Sequence, residues 1–578
     1  MAMASEETKL ELFLQWLNVN GAELRGCKIK YCNSSKGFGI FSSNDAPDGI
    51  FLVIPLDLAI TPMKVLEDPL IGPACRSMFE EGEVDDRFLV MVFLTVERLR
   101  KNSTWKPYLD MLPTEFGSTL WFSDGDLLEL KGTTLYRATE LLKKSLKTLF
   151  DEKVKKLVDK LLALDGNPES YNFLVGFDSQ VRFEDFLWAN SIFWTRALNI
   201  PFPSSYVFRT GQPERECGSS NAPGGSTTTE LNGSSQVSGS ESASQADSIF
   251  VEGLVPGIDF CNHGDSHVIL LPFCKTLCLD IKAAATWEVD GSGSLTGTRF
   301  SMYLLSAGVI PIQGEKEISI SYGAKGNESS LISLELVQEL LFLYGFIVKD
   351  NSDDYLMLHY PVEAISDMPF SEGKLLLLEE QKGELRCLLT RNLLDNGFFP
   401  ECTSPRGTKS REYDDDQGVD YKSARRKIPS FANKLVFPEK FLTALRTVTM
   451  TESKLQQVFS LLEEVVGSGG ERRPSETEVR TAIWEACGNC GALQLIVDLL
   501  NMKLMELEEG SGTEESDAEL LKKGEGGASS NGSVLMSRKK WASIVYRQGQ
   551  KELTRRFLRE AEHALQLALS EDTAKTSS

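Results

Sequence analysis

The residue types able to do chemistry gather in a few short runs of this chain. Val255-Pro256-Gly257-Ile258-Asp259-Phe260-Cys261-Asn262-His263 sets an aspartate, an asparagine and a histidine at the end of an apolar strand. Asparagine offers donors and an acceptor, and neutral histidine one of each, so the two can grip a ligand with a mixed polar edge. An ordinary Asn-His turn is the plainer alternative. Lys36-Gly37-Phe38-Gly39-Ile40-Phe41 is a glycine turn between strands, lacking the third glycine and following helix of a dinucleotide fingerprint. Taken alone it also fits a simple β-turn. Ile318-Ser319-Ile320-Ser321-Tyr322-Gly323 ends a strand with a tyrosine, and Leu343-Tyr344-Gly345-Phe346 ends a helix with another. Either tyrosine by itself fits a core aromatic.

Other chemistry is weaker. His263 and His267 raise the question of metal, but no acidic or thiolate partner has helix-type spacing with them. Zinc needs at least three protein ligands, so no metal site is assigned. Cys487-Gly488-Asn489-Cys490 has no second CxxC and lies in a helical stretch, and Cys274 and Cys278 alternate on one face of an apolar strand as core residues.

These runs need elements to hold them. Leu10, Phe13, Trp16 and Leu17 recur at helical spacing and stop before Gly21. From Cys27 to Ile60 short apolar runs broken by Gly37, Gly39, Pro47-Asp48-Gly49 and Pro55 read as strand-turn-strand. From about Lys64 to Leu198 the helical period returns. Residues 210–248 are almost wholly small and polar, too poor in apolar surface to offset ordering entropy, and are expected to be a disordered loop. Strand texture resumes at Gly253–Asp259, Val268–Ile281 and Glu317–Tyr322, followed by a helix over Leu331–Tyr344. Leucine-rich helical patterns then dominate: Leu375–Leu394, Phe441–Val466, Glu476–Leu507 and Lys539–Leu569. Polar stretches at 403–426 and 508–531 read as loops.

The whole composition narrows the function classes. The 578 residues carry a net charge of −22, with 41% apolar and 25% charged residues. That field repels phosphate backbones and anionic membranes and attracts cationic partners, so neither nucleic acid nor membrane is an expected partner. The first residues carry Glu6, Glu7 and Glu11 and no arginine, unlike a secretory or transit peptide, and no run of about 18 apolar residues occurs. With scattered cysteines, the cytosol or nucleus is the expected compartment.

Taken in order, KGFGIF at Lys36, the helical insert, WTRALNIP at Trp194, VPGIDFCNH at Val255, ISISYG at Ile318 and LYGF at Leu343 resemble the SET-domain methyltransferases. The resemblance is narrower still to the branch that includes the Rubisco large-subunit lysine methyltransferase and the actin-histidine methyltransferase. Trp105-Lys106-Pro107-Tyr108-Leu109, Leu112-Pro113, Trp121-Phe122 and Leu130-Lys131-Gly132-Thr133 are similar to that branch's insert. The likeness spans about residues 25 to 350. It implies an α+β fold: an N-terminal helix over 1–24, a SET-type β-rich module over 25–348 with a large helical insert at about 64–200, and an all-α substrate-binding C-terminal domain over 349–578.

Carried over residue by residue, the resemblance implies S-adenosylmethionine as cofactor. The backbone around Lys36, Phe38 and Gly39 would contact it, and Arg196 would hold its carboxylate. Asn262 and His263 would hold its amino-acid and adenine parts. Tyr322 would stand beside the transferring methyl, and Tyr344 would line the channel for the target nitrogen. A lysine pKa near 10.4 makes a neutral amine cost about 4.6 kcal/mol at pH 7, and burial beside a sulfonium lowers that pKa. The lysine-modifying members have an apolar residue two past the arginine and a tyrosine in the YGF motif, as this chain does at Leu198 and Tyr344. The implied activity is thus protein-lysine N-methylation of a non-histone protein. Protein-histidine methylation and a non-catalytic scaffold are the alternatives.

Overall fold

The computed structural model describes residues 2–33, 37–43, 49–100, 102–158, 181–207, 248–263, 285–307, 315–320, 341–342, 345, 347, 354–400, 428–467, 472–525 and 536–576. It has two compact units, Met1–Glu115 with Ser145–Lys325, and Phe116–Lys144 with Gly326–Ser578. The expected loop at 210–248 lies outside the described residues except for Ser248. So do the strand expected at Val268–Ile281, the polar stretch 403–426 and most of the helix expected at Leu331–Tyr344.

The first unit opens with helix α1, Ala2–Val19. Phe13 and Leu17, four apart on one face, are completely buried. Strands β1 (Glu23–Leu24), β2 (Cys27–Asn33), β3 (Gly37–Ser42) and β4 (Ile50–Pro55) follow in the region read as strand-turn-strand. The run Ile50-Phe51-Leu52-Val53-Ile54 lacks polar alternation because β4 lies between two neighbours and is buried on both faces. Helices α2 (Asp86–Leu99), α3 (Lys106–Leu109) and α4 (Phe183–Arg196) belong to the insert. Asp85 caps α2 by accepting from the Phe88 N–H at 2.8 Å.

Strands β5 (Leu198–Pro203) and β6 (Ser248–Gly253) form a two-stranded antiparallel sheet, with Leu198 opposite Gly253. The strand expected at Gly253–Asp259 therefore sits earlier in the chain. Leu254 adds one bridge to Ile60, after which Pro256 offers no N–H and Gly257 turns to φ +100°. Ile258–Phe260 is a single 3₁₀ turn leading into β7 (Asn262–His263). The main sheet is completed by β8 (Ala285–Asp290), β9 (Ser301–Ser306) and β10 (Glu317–Ile320), in the order β1-β4-β9-β8-β10-β3-β2, with β7 also beside β10. Strand β10 is where direction changes: antiparallel to β3, parallel to β7 and β8. That switch brings strand ends from distant parts of the chain together.

The second unit begins with residues 116–144, from within the segment read as the insert. Phe122, Leu127, Leu130, Leu135 and Ala138 form one core with Leu341, Phe342, Ala542 and Tyr546. Gly132, at φ +86°, packs so tightly that an added Cβ would stand 2.2 Å from the Glu506 carbonyl oxygen. The leucine-rich run Leu375–Leu394 is not one helix. Strand β11 (Tyr355–His359) pairs antiparallel with β12 (Arg386–Thr390), and α5 (Ser371–Glu380) lies between them. The helix ends at Gln381-Lys382-Gly383, where Lys382 is left-handed at φ +48°. Leu356, Leu358, Cys387 and Leu389 alternate into the core, as strand positions do.

The remainder is helical: α6 (Glu439–Val448), α7 (Glu452–Val466), α8 (Glu476–Cys487), α9 (Cys490–Glu508), α10 (Glu514–Glu525) and α11 (Arg538–Thr576). The stretch 508–531, expected to be a loop, contains α10. Its Asp517 is wholly buried, pairing with Lys551 at 2.6 Å and accepting from Arg547 Nε at 2.8 Å. A polar composition hid a helix anchored both by this buried charge and by Leu521, which packs with Ile544 and Val545.

Candidate functional site

The site is built in the first unit where β3, β7 and β10 meet. In β10 the side-chain period of two sends Ile318 and Ile320 into the core and leaves Glu317 and Ser319 half-buried on the other face. Ser319 lies opposite Asn262 in the parallel pair, and Ile318 lies opposite Ile40 in the antiparallel one. The Asn262 amide Nδ2 donates to Glu317 Oε1 at 2.6 Å. The Cys32 thiol lies 4.0 Å from the same oxygen, at the long limit of a sulfur hydrogen bond.

Gly39 faces this cluster at close range. A Cβ there would stand 2.8 Å from Cys32 Sγ, 3.1 Å from Glu317 Oε1 and 3.2 Å from Asn262 Nδ2. Any larger residue would have to displace the Cys32 side chain and crowd those of Glu317 and Asn262, and the bare glycine backbone forms one wall of a polar cradle. Phe38, beside it, is buried and stacks in tilted or edge contacts with Tyr31 at 5.4 Å and Phe260 at 6.2 Å between ring centroids.

Arg196 ends α4, because Ala197 leaves the helical region for β5. Its Nη1 donates to the Asp259 carbonyl oxygen at 2.9 Å and lies 3.7 Å from Asp259 Oδ2, and its guanidinium covers the Phe260 ring at 5.1 Å. Asp259 Oδ2 accepts from the Tyr108 hydroxyl at 2.6 Å, and Oδ1 accepts from the Gly257 N–H at 3.0 Å. Burial raises the Asp259 carboxyl above its ordinary range, and Arg196 and the hydrogen-bond donors act against that rise. Burial, then the Asp259 charge, holds the Tyr108 hydroxyl well above its usual pKa, so it stays a donor. Asp259 and Asn262, expected together at a strand end, serve different partners: one anchors Arg196, the other meets Glu317.

Cys27 and Cys261 are buried nearby. Burial pushes the Cys27 thiol up to about 12 and holds that of Cys261 well above its normal range, so neither is a thiolate nucleophile at neutral pH. Among the described residues no group of His, Cys, Asp or Glu could hold a metal ion. A cavity of about 200 Å³ lined in part by Glu97, Arg98, Arg100, Lys106 and Trp188 gathers none of the site residues. Its cations have partners: Arg100 pairs with Glu97, Lys106 with Asp110 at 3.0 Å, and Arg98 stacks on Trp188 at 4.2 Å.

Of the residues singled out from sequence, Phe38, Gly39, Asn262 and Arg196 are held by these connected contacts. His263 is in register with Ile320 through its backbone. Lys36, Tyr322 and Tyr344 lie outside the described residues. Three residues of the cluster are not marked as site residues by the sequence: Glu317 at the start of a strand, Cys32 within another, and Tyr108 inside the WKPYL run. Glu317 had a signal in the alternation Glu-Ile-Ser-Ile, which sets a carboxylate on the same face as the serine.

No protein-family model matches the chain. It is 30% identical over 188 residues to the fructose-bisphosphate aldolase-lysine N-methyltransferase of Arabidopsis thaliana chloroplasts, a stretch covering 32% of this chain and 35% of that protein. It is 28% identical over 191 residues to the Rubisco large subunit N-methyltransferase of Pisum sativum, covering 33% and 35%. To the human actin-histidine N-methyltransferase it is 27% identical over 124 residues, covering 21% and 20%. The chain thus spans about a third or less of the length of the curated relatives it matches. The SET domain of Rubisco large-subunit methyltransferase bound to lysine and S-adenosylhomocysteine superposes with a TM-score of 0.55 at 19% identity, over 97% of this chain and 92% of that one. The same enzyme bound to sinefungin and monomethyllysine gives 0.54 at 18%, over 97% and 93%. The chain therefore has the fold of the Rubisco methyltransferase SET module followed by a helical C-terminal region, and its sequence resembles that of SET-type protein methyltransferases acting on lysine and histidine.

Proposed function

We propose that this chain is an S-adenosylmethionine-dependent protein methyltransferase that modifies a lysine of a non-histone protein. The observation that supports this best is the convergence of Gly39, Asn262 and Glu317 through the β10 register. Strand ends more than two hundred residues apart make one polar cradle with the glycine backbone as a wall. The donor set fits the cofactor's amino-acid end. A guanidinium seated on Phe260 suits a carboxylate, and an amide beside a carboxylate suits an ammonium. Arg196 and Asn262, with the backbone at Phe38 and Gly39 and that of His263, are the residues that would hold it.

When bound, S-adenosylmethionine supplies an electrophilic methyl on a sulfonium. The chain's part is to orient and desolvate. Asp259 fixes Arg196 and Glu317 fixes Asn262; the tyrosines of the ISISYG and LYGF motifs, Tyr322 and Tyr344, would each contribute a ring and a hydroxyl toward a neutral amine, as the resemblance implies. Lysine is favoured over histidine by Leu198, a buried apolar side chain two residues past Arg196, and by Tyr344 in the YGF motif. The resemblance to the actin-histidine enzyme keeps histidine as the second reading. The net charge of −22 suits a basic protein segment as substrate, in the cytosol or nucleus.

The test is transfer of labelled methyl from S-adenosylmethionine to proteins of a cell lysate, with the modified residue located by mass spectrometry. Methyl-lysine on a non-histone protein, and loss of most transfer in Tyr322→Phe, are the expected results. Methyl-histidine would select the second reading, and full activity in the variant would remove the role of Tyr322.

A further inference from the structure

We infer that Glu317 is a positioning residue that sets the polarity of the cofactor site and selects a cationic N–H donor, the α-ammonium of the cofactor's amino-acid end. This rests on the cofactor reading above and deepens it, giving Glu317 a role in how the cofactor's amino-acid end is oriented. An ionised carboxylate can only accept hydrogen bonds. With Oε1 2.6 Å from the Asn262 amide, the group turned toward Glu317 must be the NH₂, and Oδ1 of Asn262 is directed elsewhere as an acceptor. An asparagine without such a partner could present either end. Here the orientation is dictated by charge, and the Cys32 thiol 4.0 Å from the same oxygen is a second group matched to an acceptor.

Gly39 keeps the arrangement tight. Its Cα runs so close that a methyl would collide with Cys32 Sγ at 2.8 Å, leaving little room for the cluster to rearrange. A fixed acceptor beside a half-buried negative charge matches a ligand nitrogen that donates and is positive. It mismatches a ligand carboxylate, which falls to Arg196. Glu317 and Arg196 thus give the site opposite electrostatic ends, which would fix the direction in which a zwitterionic amino-acid group lies.

The experiment compares two ligands by titration calorimetry on the full chain: S-adenosylhomocysteine, which carries the α-ammonium, and 5′-methylthioadenosine, which lacks the amino-acid end. In Glu317→Gln the carboxamide can donate or accept and carries no charge. S-adenosylhomocysteine affinity should fall about tenfold or more, the scale of a charged hydrogen bond, while 5′-methylthioadenosine changes less than about twofold. Glu317→Asp, which keeps the charge, should recover part of the difference. The second ligand also reports whether the variant is folded. Equal losses for both ligands, or no loss for either, would overturn the role of Glu317 while leaving the cofactor reading intact. A wild-type chain that binds neither ligand would overturn both.

Discussion

Tyr108 shows how much of the site depends on one hydroxyl. Its O–H donates to Asp259, a carboxylate with no exposed side-chain surface, and Asp259 in turn orients Arg196. Replacing Tyr108 by Phe leaves the ring packing against Phe13 and Phe260 but takes the donor from a buried carboxylate oxygen. Denaturant unfolding should show a loss of about 1–3 kcal/mol, the cost of leaving a buried acceptor unmatched. Asp259→Asn in the same background should restore part of it, because a neutral amide is less costly to leave in that position. Equal stability of Tyr108→Phe and wild type would mean that water replaces the hydroxyl there.

At the scale of elements, helix ends set several of the angles that matter, and one of them titrates. Ser475 caps α8, its hydroxyl accepting from the Glu478 N–H, while the Glu478 carboxylate accepts from the Ser475 N–H at 2.8 Å and pairs with Arg472 at 2.6 Å. The hydrogen bond from Arg472, then that from Ser475, lowers Glu478 from the usual 4.5 to about 2. A depressed carboxyl pKa stabilises the fold above the unfolded value and loses that contribution as pH falls through the folded one. The loss therefore falls between pH 4.5 and about 2. Glu478→Gln should be less stable than wild type at pH 6, and the gap should narrow across that window, as followed by thermal unfolding. A gap independent of pH would place the stabilisation in packing rather than charge.

At the scale of the whole molecule, each unit is stitched from segments far apart in sequence. The second is held in part by a buried ion cluster: Asp517 with Lys551 and Arg547, and Arg547 with Glu129 as well. Asp517→Ala would leave two cations buried without their main counter-charge, a cost of about 3–5 kcal/mol measured by urea unfolding. A fragment of residues 349–578 would lack 129 and the apolar group Phe122, Leu127, Leu130 and Leu135. It should be cut by protease well before the intact chain.

The sequence by itself determined the local chemistry. Spacing read out α1, the strands around β3 and β4 and most of the C-terminal helices, and the motif order pointed to Phe38, Gly39, Arg196 and Asn262. These are properties of short stretches: apolar period, glycine at a turn, polar residues at a strand end. The tertiary structure alone decided the rest. Asp259 turns to Tyr108 rather than to Asn262, residues 116–144 share a core with Ala542 and Tyr546, and the helix at 514–525 is held by the cations that receive Asp517 and by the burial of Leu521. Glu317 could be seen in sequence as a charged strand residue, but not as the partner of Asn262, 55 residues earlier. Hydrogen bonds and ion pairs across such separations are fixed by strand register and helix packing, which depend on the fold as a whole and leave no period in the local sequence.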